Sequence, residues 1–301
     1  MVSVVGVTSI AALDQDDVRG AFLVTRPKEK PKSTSTSPRT SRRRPRPSTG
    51  SDNTKKPNIP GTTTGSTTGT TGGPATTGTT TTTNANTKPA AVNAPRLGIG
   101  LTLFMRDANG LAVRTDPTHM FQKGDRVRVL LETNADGYLY IFNTTNNGPA
   151  VMIYPNAELD EAGNYLQAHV PFEVPSNGAA EERLRWLAFD ENAGDERLFF
   201  VFTREPLTGV PIEDELITYC GDKKGCSWRA TDEIWSQIQT EMSQPLKTDK
   251  EKQYGAPQTE REQQASSRGL GLAKDDPPPS LIMMASAKSS RLVTTLDLVH
   301  K

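Results

Sequence analysis

Three histidines, two cysteines and several carboxylates are the side chains of this 301-residue chain that could carry chemistry. His119, His169 and His300 stand far apart, and no HExxH or comparable spacing joins any of them to a second metal ligand. The run Asp190-Glu191-Asn192-Ala193-Gly194-Asp195-Glu196 offers the oxygens that a hard cation takes. Its order departs from an EF-hand loop, so it reads first as a polar hairpin connection, with calcium binding as the alternative. Glu181-Glu182 and Asp214 with Glu215 are carboxylate pairs of the kind glycoside hydrolysis uses, but they fall where solvated loops are expected. No nucleophile elbow or Walker A loop occurs, and Gly221–Ser227 lacks the glycine spacing of a phosphate loop. With no catalytic constellation and no metal or cofactor motif, the expectation is a protein that is not an enzyme.

Two further sets remain. Cys220 and Cys226 cannot close a tetrahedral zinc site alone. They form either a small disulfide loop, worth about 2 kcal/mol on a chain-entropy argument, or a pair of free thiols. Tyr138, Tyr140 and Tyr154 could present aromatic faces to a sugar; packing within a core and across strands is the other use of such residues.

The elements that would position these residues read as strands. Between Gly124 and Tyr154, Val127, Val129 and Leu131 alternate with Arg126, Arg128 and Glu132, a period of two with one face buried and one wet. Asn134-Ala135-Asp136-Gly137 predicts a tight hairpin turn into Tyr138–Phe142, which is apolar on both faces and suits a central strand. Asn146-Asn147-Gly148-Pro149 turns again before Ala150–Tyr154, so a three-stranded meander is expected, covered by a second layer. Leu97–Arg106, Gln167–Val174, Leu184–Phe189, Leu198–Thr203, Leu281–Met284 and Arg291–His300 add strands, and Leu216–Tyr219 reads as an extension of the sheet. Thr231–Ser243 is the one expected helix, with Thr231 as its cap. Residues 244–279 read as a polar excursion.

The first third of the chain is different. Of 18 aromatic residues, 14 lie between Leu97 and Cys220, which marks the packed domain as residues 96–301. Up to Pro95 there are 13 Lys and Arg against 5 acids, and beyond it 22 against 30, so a basic tail adjoins an acidic domain. Residues 13–95 read as a disordered linker, basic from Arg26 to Pro60 and then carrying 14 threonines in the 23 residues 61–83. Within it Val18–Thr25 is a β-prone island, either residual hydrophobicity or an edge strand docking on this domain or a partner. Val2–Ala12 resembles the core of a signal peptide without its positive start, or is an ordinary apolar N-terminus. No stretch is long and apolar enough for an integral membrane helix. The arginines lack interleaved aromatics, so nucleic acid is not the expected partner.

Gly124-Asp125 with its following strand, Asp136-Gly137-Tyr138-Leu139-Tyr140, Tyr154-Pro155-Asn156, and Gly194-Asp195-Glu196-Arg197-Leu198 leading to Thr203-Arg204-Glu205-Pro206 carry a likeness. Together these fragments, within Leu97–Pro206, resemble the bacterial family called domain of unknown function 4384. That resemblance implies an all-β module, found after export signals or attached to peptidases and kinases, with no established catalysis of its own. The combined expectation is an all-β, antiparallel immunoglobulin-like β-sandwich with one short helix and a long disordered N-terminal tail. Functionally it is an exported, periplasmic or cell-surface binding module for an unknown protein or glycan of the cell envelope. Two alternatives stand beside it: a regulatory or hydrolase-associated subunit using acidic loop residues such as Asp190 and Asp195, and a structural envelope protein whose basic tail holds a polyanion.

Overall fold

Alternate residues along the strands feed one shared interior. Leu97, Ile99, Leu101 and Leu103, with Val127, Val129 and Leu131, come from one sheet, and Leu139, Ile141, Leu198, Phe200, Phe202, Leu292, Leu296 and Leu298 come from another; all belong to one buried cluster. The computed structural model describes residues 15–28, 96–157, 163–221, 226, 228–286 and 289–301. The apolar N-terminal run 1–12 and the basic and threonine-rich stretch 29–95 lie outside the described residues.

The described chain opens with helix α1 (Gln15–Leu23) and continues with β1 (Gly98–Arg106), β2 (Ala112–Arg114), β3 (Met120–Phe121), β4 (Arg126–Thr133), β5 (Gly137–Thr145) and β6 (Val151–Tyr154). Then come β7 (Tyr165–Leu166), β8 (Phe172–Val174), β9 (Leu187–Ala188) and β10 (Gly194–Thr203). Helices α2 (Glu213–Gly221) and α3 (Asp232–Met242), strand β11 (Lys247–Lys250), helix α4 (Glu260–Arg268), β12 (Leu281–Met284) and β13 (Arg291–His300) complete it. One sheet runs β11-β12-β1-β4-β8, with β2 on β1 and β9 on β4; the second runs β3-β13-β10-β5-β6, with β7 on β5. Pairing is antiparallel except for β3 on β13, which is a short parallel pair. The protein is therefore mostly β, built as two sheets around a shared core. As the double-faced apolar pattern of Leu198–Thr203 implies, β10 is a central strand, lying between β13 and β5.

Several expectations are corrected. The Asn134–Gly137 segment is no hairpin: β4 pairs within the first sheet and β5 within the second, so the chain crosses between layers there. Its polar side chains serve that crossing. Asn134 accepts from Gly98 N (2.7 Å) and donates to Arg96 O (2.9 Å), while Asp136 accepts from Ala168 N (2.8 Å). Gly137 is not among the positive-φ glycines; it is needed because a Cβ there would lie 2.8 Å from Phe202 Cε2 and run into the Thr203 carbonyl. The β5–β6 turn does use left-handed residues, Asn146 at φ 51° and Asn147 at φ 57°.

The face of β4 that reads as wet is buried too, because Arg26 just after α1, Gln258 just before α4 and the chain that follows α4 cover Arg128 and Glu132. Four α-helices are present among the described residues rather than one. The Val18–Thr25 island is helical and packs on β11 and β12. Leu216–Tyr219 belongs to α2, where three acids in the first turn suit the positive end of a helix and only Leu216 is buried. The 244–279 excursion contains β11 and α4, the latter started by a capping box between Thr259 and Glu262. Helix α3 begins at Thr231 as expected, its hydroxyl accepting from Ile234 N.

Candidate functional site

The three tyrosines singled out by sequence are interior. Tyr138, Tyr140 and Tyr154 are 6%, 0% and 1% exposed. Tyr140 Oη accepts from Leu207 N (2.9 Å), and burial pushes its phenol up. Tyr138 meets Tyr165 edge to face at 5.3 Å, and Tyr154 packs on Phe172 at 4.6 Å. Rings so enclosed cannot stack on an external sugar, so packing is their use. The outer face of β5 and β10 that holds Tyr138 and Tyr140 is roofed by α2, α3 and Trp228. Cys220 and Cys226 are joined by a disulfide, tying the end of α2 to the chain approaching Trp228.

The carboxylates divide by position. Glu181 pairs with Arg183, and Glu182 with Arg106 at 2.6 Å, both on the surface. Asp214 and Glu215 belong to the first turn of α2. The Asp190–Glu196 run joins β9 of one sheet to β10 of the other, so it is an inter-sheet connection and not a hairpin. Asp190 folds back on Asn192, accepting from its backbone N (2.7 Å) and its amide (2.9 Å), which holds the carboxyl below its usual range. Among the described residues no three metal-ligating side chains gather.

A cleft does open between the sheets at this end. The inward row of β10 runs Phe202, Phe200, Leu198 and then Glu196; that of β5 runs Leu139, Ile141 and then Asn143 and Thr145; that of β13 ends Leu296, Leu298 and then His300. Register holds these three row ends side by side, with Glu196 opposite both Thr145 and Leu298 and Gly194 opposite His300. The cavity beside them is about 270 Å³. Its floor is Ile153, Leu187, Phe189, Leu198 and Leu298, continuous with the core. Asp190 and Asn192 complete the polar rim.

The rim is organised around Glu196. Its Oε2 accepts from Asn143 Nδ2 (2.8 Å) and Thr145 Oγ1 (2.9 Å). Asn143 Oδ1 is buried with no hydrogen-bond partner, an acceptor that a donor group of a bound molecule would satisfy. His300 packs against Phe189 at 5.1 Å, and Phe189 stacks on Phe121 at 4.7 Å. The arrangement can hold a small apolar group on its floor and hydroxyl or amine donors at its rim. Sequence reasoning noticed Asp190 and Glu196 but missed Asn143, Thr145 and His300 as a set. The signal was present as a change from apolar to polar at the ends of three inward rows, legible only once the strands are known to be neighbours.

A second polar assembly lies on the opposite side, against the outer face of the first sheet. Arg26 and His169 meet Glu132, Arg114 meets Glu262 at 2.5 Å, and Arg128 lies 3.5 Å from Glu173. All are enclosed, so they hold elements together rather than face solvent. No helix among the described residues is long and apolar enough to cross a membrane.

Residues 120–206, the segment from β3 to just past the end of β10, match the family model of the domain of unknown function DUF4384 and are similar to it over that span. The match ends at Pro206, where the sequence likeness also ends, but starts after β1 and β2 instead of at Leu97. No curated protein and no solved structure matches the chain.

Proposed function

Taking the segment that matches DUF4384 as the part that supplies ten of the twelve residues lining the cleft, the other two coming from β13, we propose that this domain is a non-enzymatic binding module of an exported bacterial envelope protein. In this reading the two sheets act as an immunoglobulin-like sandwich that recognises its ligand at one end, between the layers. The ligand is an envelope protein or glycan offering a small apolar group with hydroxyl or amine donors beside it. The observation that carries the reading is the shared polar ending of the inward rows of β5, β10 and β13 around a cavity of about 270 Å³. Placement outside the cytoplasm is supported by the Cys220–Cys226 disulfide, since such bonds persist in oxidising compartments.

The test is direct. The full-length chain is applied to an array of soluble glycans and an array of short random peptides, beside a Thr145→Trp variant whose indole fills the mouth. Thr145 is exposed, so this variant keeps its unfolding temperature. Binding by the wild type that falls at least about tenfold in the variant supports the cleft as the site. Signal at background on both arrays, or equal binding by the two proteins, rejects it.

A further inference from the structure

Helix α1 and the residues just after it fill a slot on the outer face of the first sheet in the way a ligand fills a receptor. Val18, Phe22 and Arg26 recur every four residues, and all three are buried. Val18 and Phe22 pack on Ile282 and Met284 of β12. Phe22 also lies over β1 beside Gly98, where a Cβ would come within 2.9 Å of its ring; a Cβ on Gly100 would run into Pro279 first and reach the Phe22 ring only at 3.3 Å. A glycine in a strand interior marks such a close approach, and here Gly98 makes room for the Phe22 ring while Gly100 makes room chiefly for Pro279.

The anchor is Arg26, whose side chain is 0% exposed. Nε and Nη2 donate to the two oxygens of Glu132 at 2.7 and 2.6 Å. Nη1 donates to the carbonyls of Ala273 (3.1 Å) and Asp276 (2.8 Å), and Nη2 also to that of Pro277 (3.1 Å). All five guanidinium hydrogens therefore have acceptors, in the forked geometry that makes arginine a specific anchor. Thr25 Oγ1 donates to Phe22 O (2.7 Å) and lies 2.7 Å from His169 Nε2, while His169 Nδ1 lies 2.7 Å from Glu132. Arg19 pairs with Asp249, and Pro27 O accepts from Lys274 N (3.1 Å). The segment reaches the rest of the domain in sequence only through residues 29–95.

We propose that this slot is a helix-in-groove recognition site, filled within one chain by residues 15–28, that also takes the same segment from a second copy of the chain. The contacts are identical in the two arrangements, so concentration and the span of the connection decide between them. A long connection holds its own segment near the slot at an effective concentration on the order of millimolar or below, which a crowded second copy can rival. The partner copy completes the site with its Val18, Phe22 and Arg26.

Two full-length variants test this. Phe22→Ala with Arg26→Ala keeps the slot and disables the segment; Glu132→Gln keeps the segment and weakens the slot. A labelled peptide of residues 15–28 is expected to bind the first variant saturably and raise its unfolding temperature, with at least about tenfold weaker binding when the peptide carries Arg26→Ala. Mixing the two variants is expected to give a species of twice the chain mass by light scattering, absent from either alone. Should the first variant fail to fold, a wild-type chain cut at a protease site inserted within residues 61–83 serves instead, its native segment exchanging for the labelled peptide. No capture by the variant or the cut chain overturns the site; capture without a mixed species overturns the second copy as its occupant.

Discussion

Glu173 and Arg128 show how little a buried charge pair guarantees. They approach only to 3.5 Å, and the two atoms that face each other, Glu173 Oε2 and Arg128 Nε, have no hydrogen-bond partner. Arg128 is instead held by Gln258 (2.6 Å) and lies 4.4 Å from the Trp186 ring centre, while Glu173 Oε1 accepts from Gln258 and from Ser266 (3.1 Å). Burial pushes the Glu173 carboxyl above its ordinary 4.5, opposed by the Arg128 charge and the bonds from Gln258 and Ser266. Burial likewise lowers Arg128. A carboxyl whose folded value is raised binds its proton more tightly in the folded state. Its contribution is fully present below the unfolded value and is lost as pH rises through the folded one. Glu173→Gln is therefore expected to remove part of the stability lost on going from about pH 4.5 toward neutrality, read as a flatter dependence of the urea midpoint on pH relative to wild type. Equal slopes in the two proteins would mean that Glu173 does not titrate in this range. None of this was legible beforehand: on β4, Arg128 and Glu132 look like any solvated row, and only the chain that covers them turns them into interior residues.

At the scale of elements, glycines separate what pattern can and cannot say. Gly137 follows Asp136 and so advertised a hairpin, yet its value lies in the nearness of β10. Gly137→Ala is expected to cost about 2 kcal/mol through overpacking against Phe202 and Thr203. Gly20, in the middle of α1, has open space where an alanine would place its methyl, with nothing within 4 Å, so Gly20→Ala is expected to gain about 0.5–1 kcal/mol of helix stability. Chemical denaturation of the two variants, which should shift in opposite directions, checks both. The strands themselves were legible wherever side chains alternate or are apolar on both faces, as in β1, β4, β5, β10 and β13. Helix α3 was legible from Thr231. What escaped were α1, α2 and α4, whose apolar contacts are few per turn and whose role is to roof the sheets. The pairing partners also escaped, because period two says which side a residue faces but not which strand lies beside it. For the same reason the cleft was half visible, its acids read as a loop and His300 weighed only as a metal ligand, while Asn143 and Thr145 passed unremarked.

Across the whole molecule, the family segment is not a self-sufficient body. Residues 120–206 contain β4 and β10, but β1 that pairs with β4 and β13 that pairs with β10 lie outside it. A fragment of residues 120–206 is thus expected to lack cooperative thermal unfolding, whereas the full chain unfolds in one transition; a sharp melt of the fragment by circular dichroism would contradict this. The placement of β13 between β3 and β10 also bears on how the protein is made. A ribosome delivers β10 nearly ninety residues before β13, so at about 5–20 residues per second the half-built layer waits for several seconds with a bare strand edge. Until β13 arrives that edge of β10 can pair with a strand of any other chain, so the hazard of this stage is aggregation.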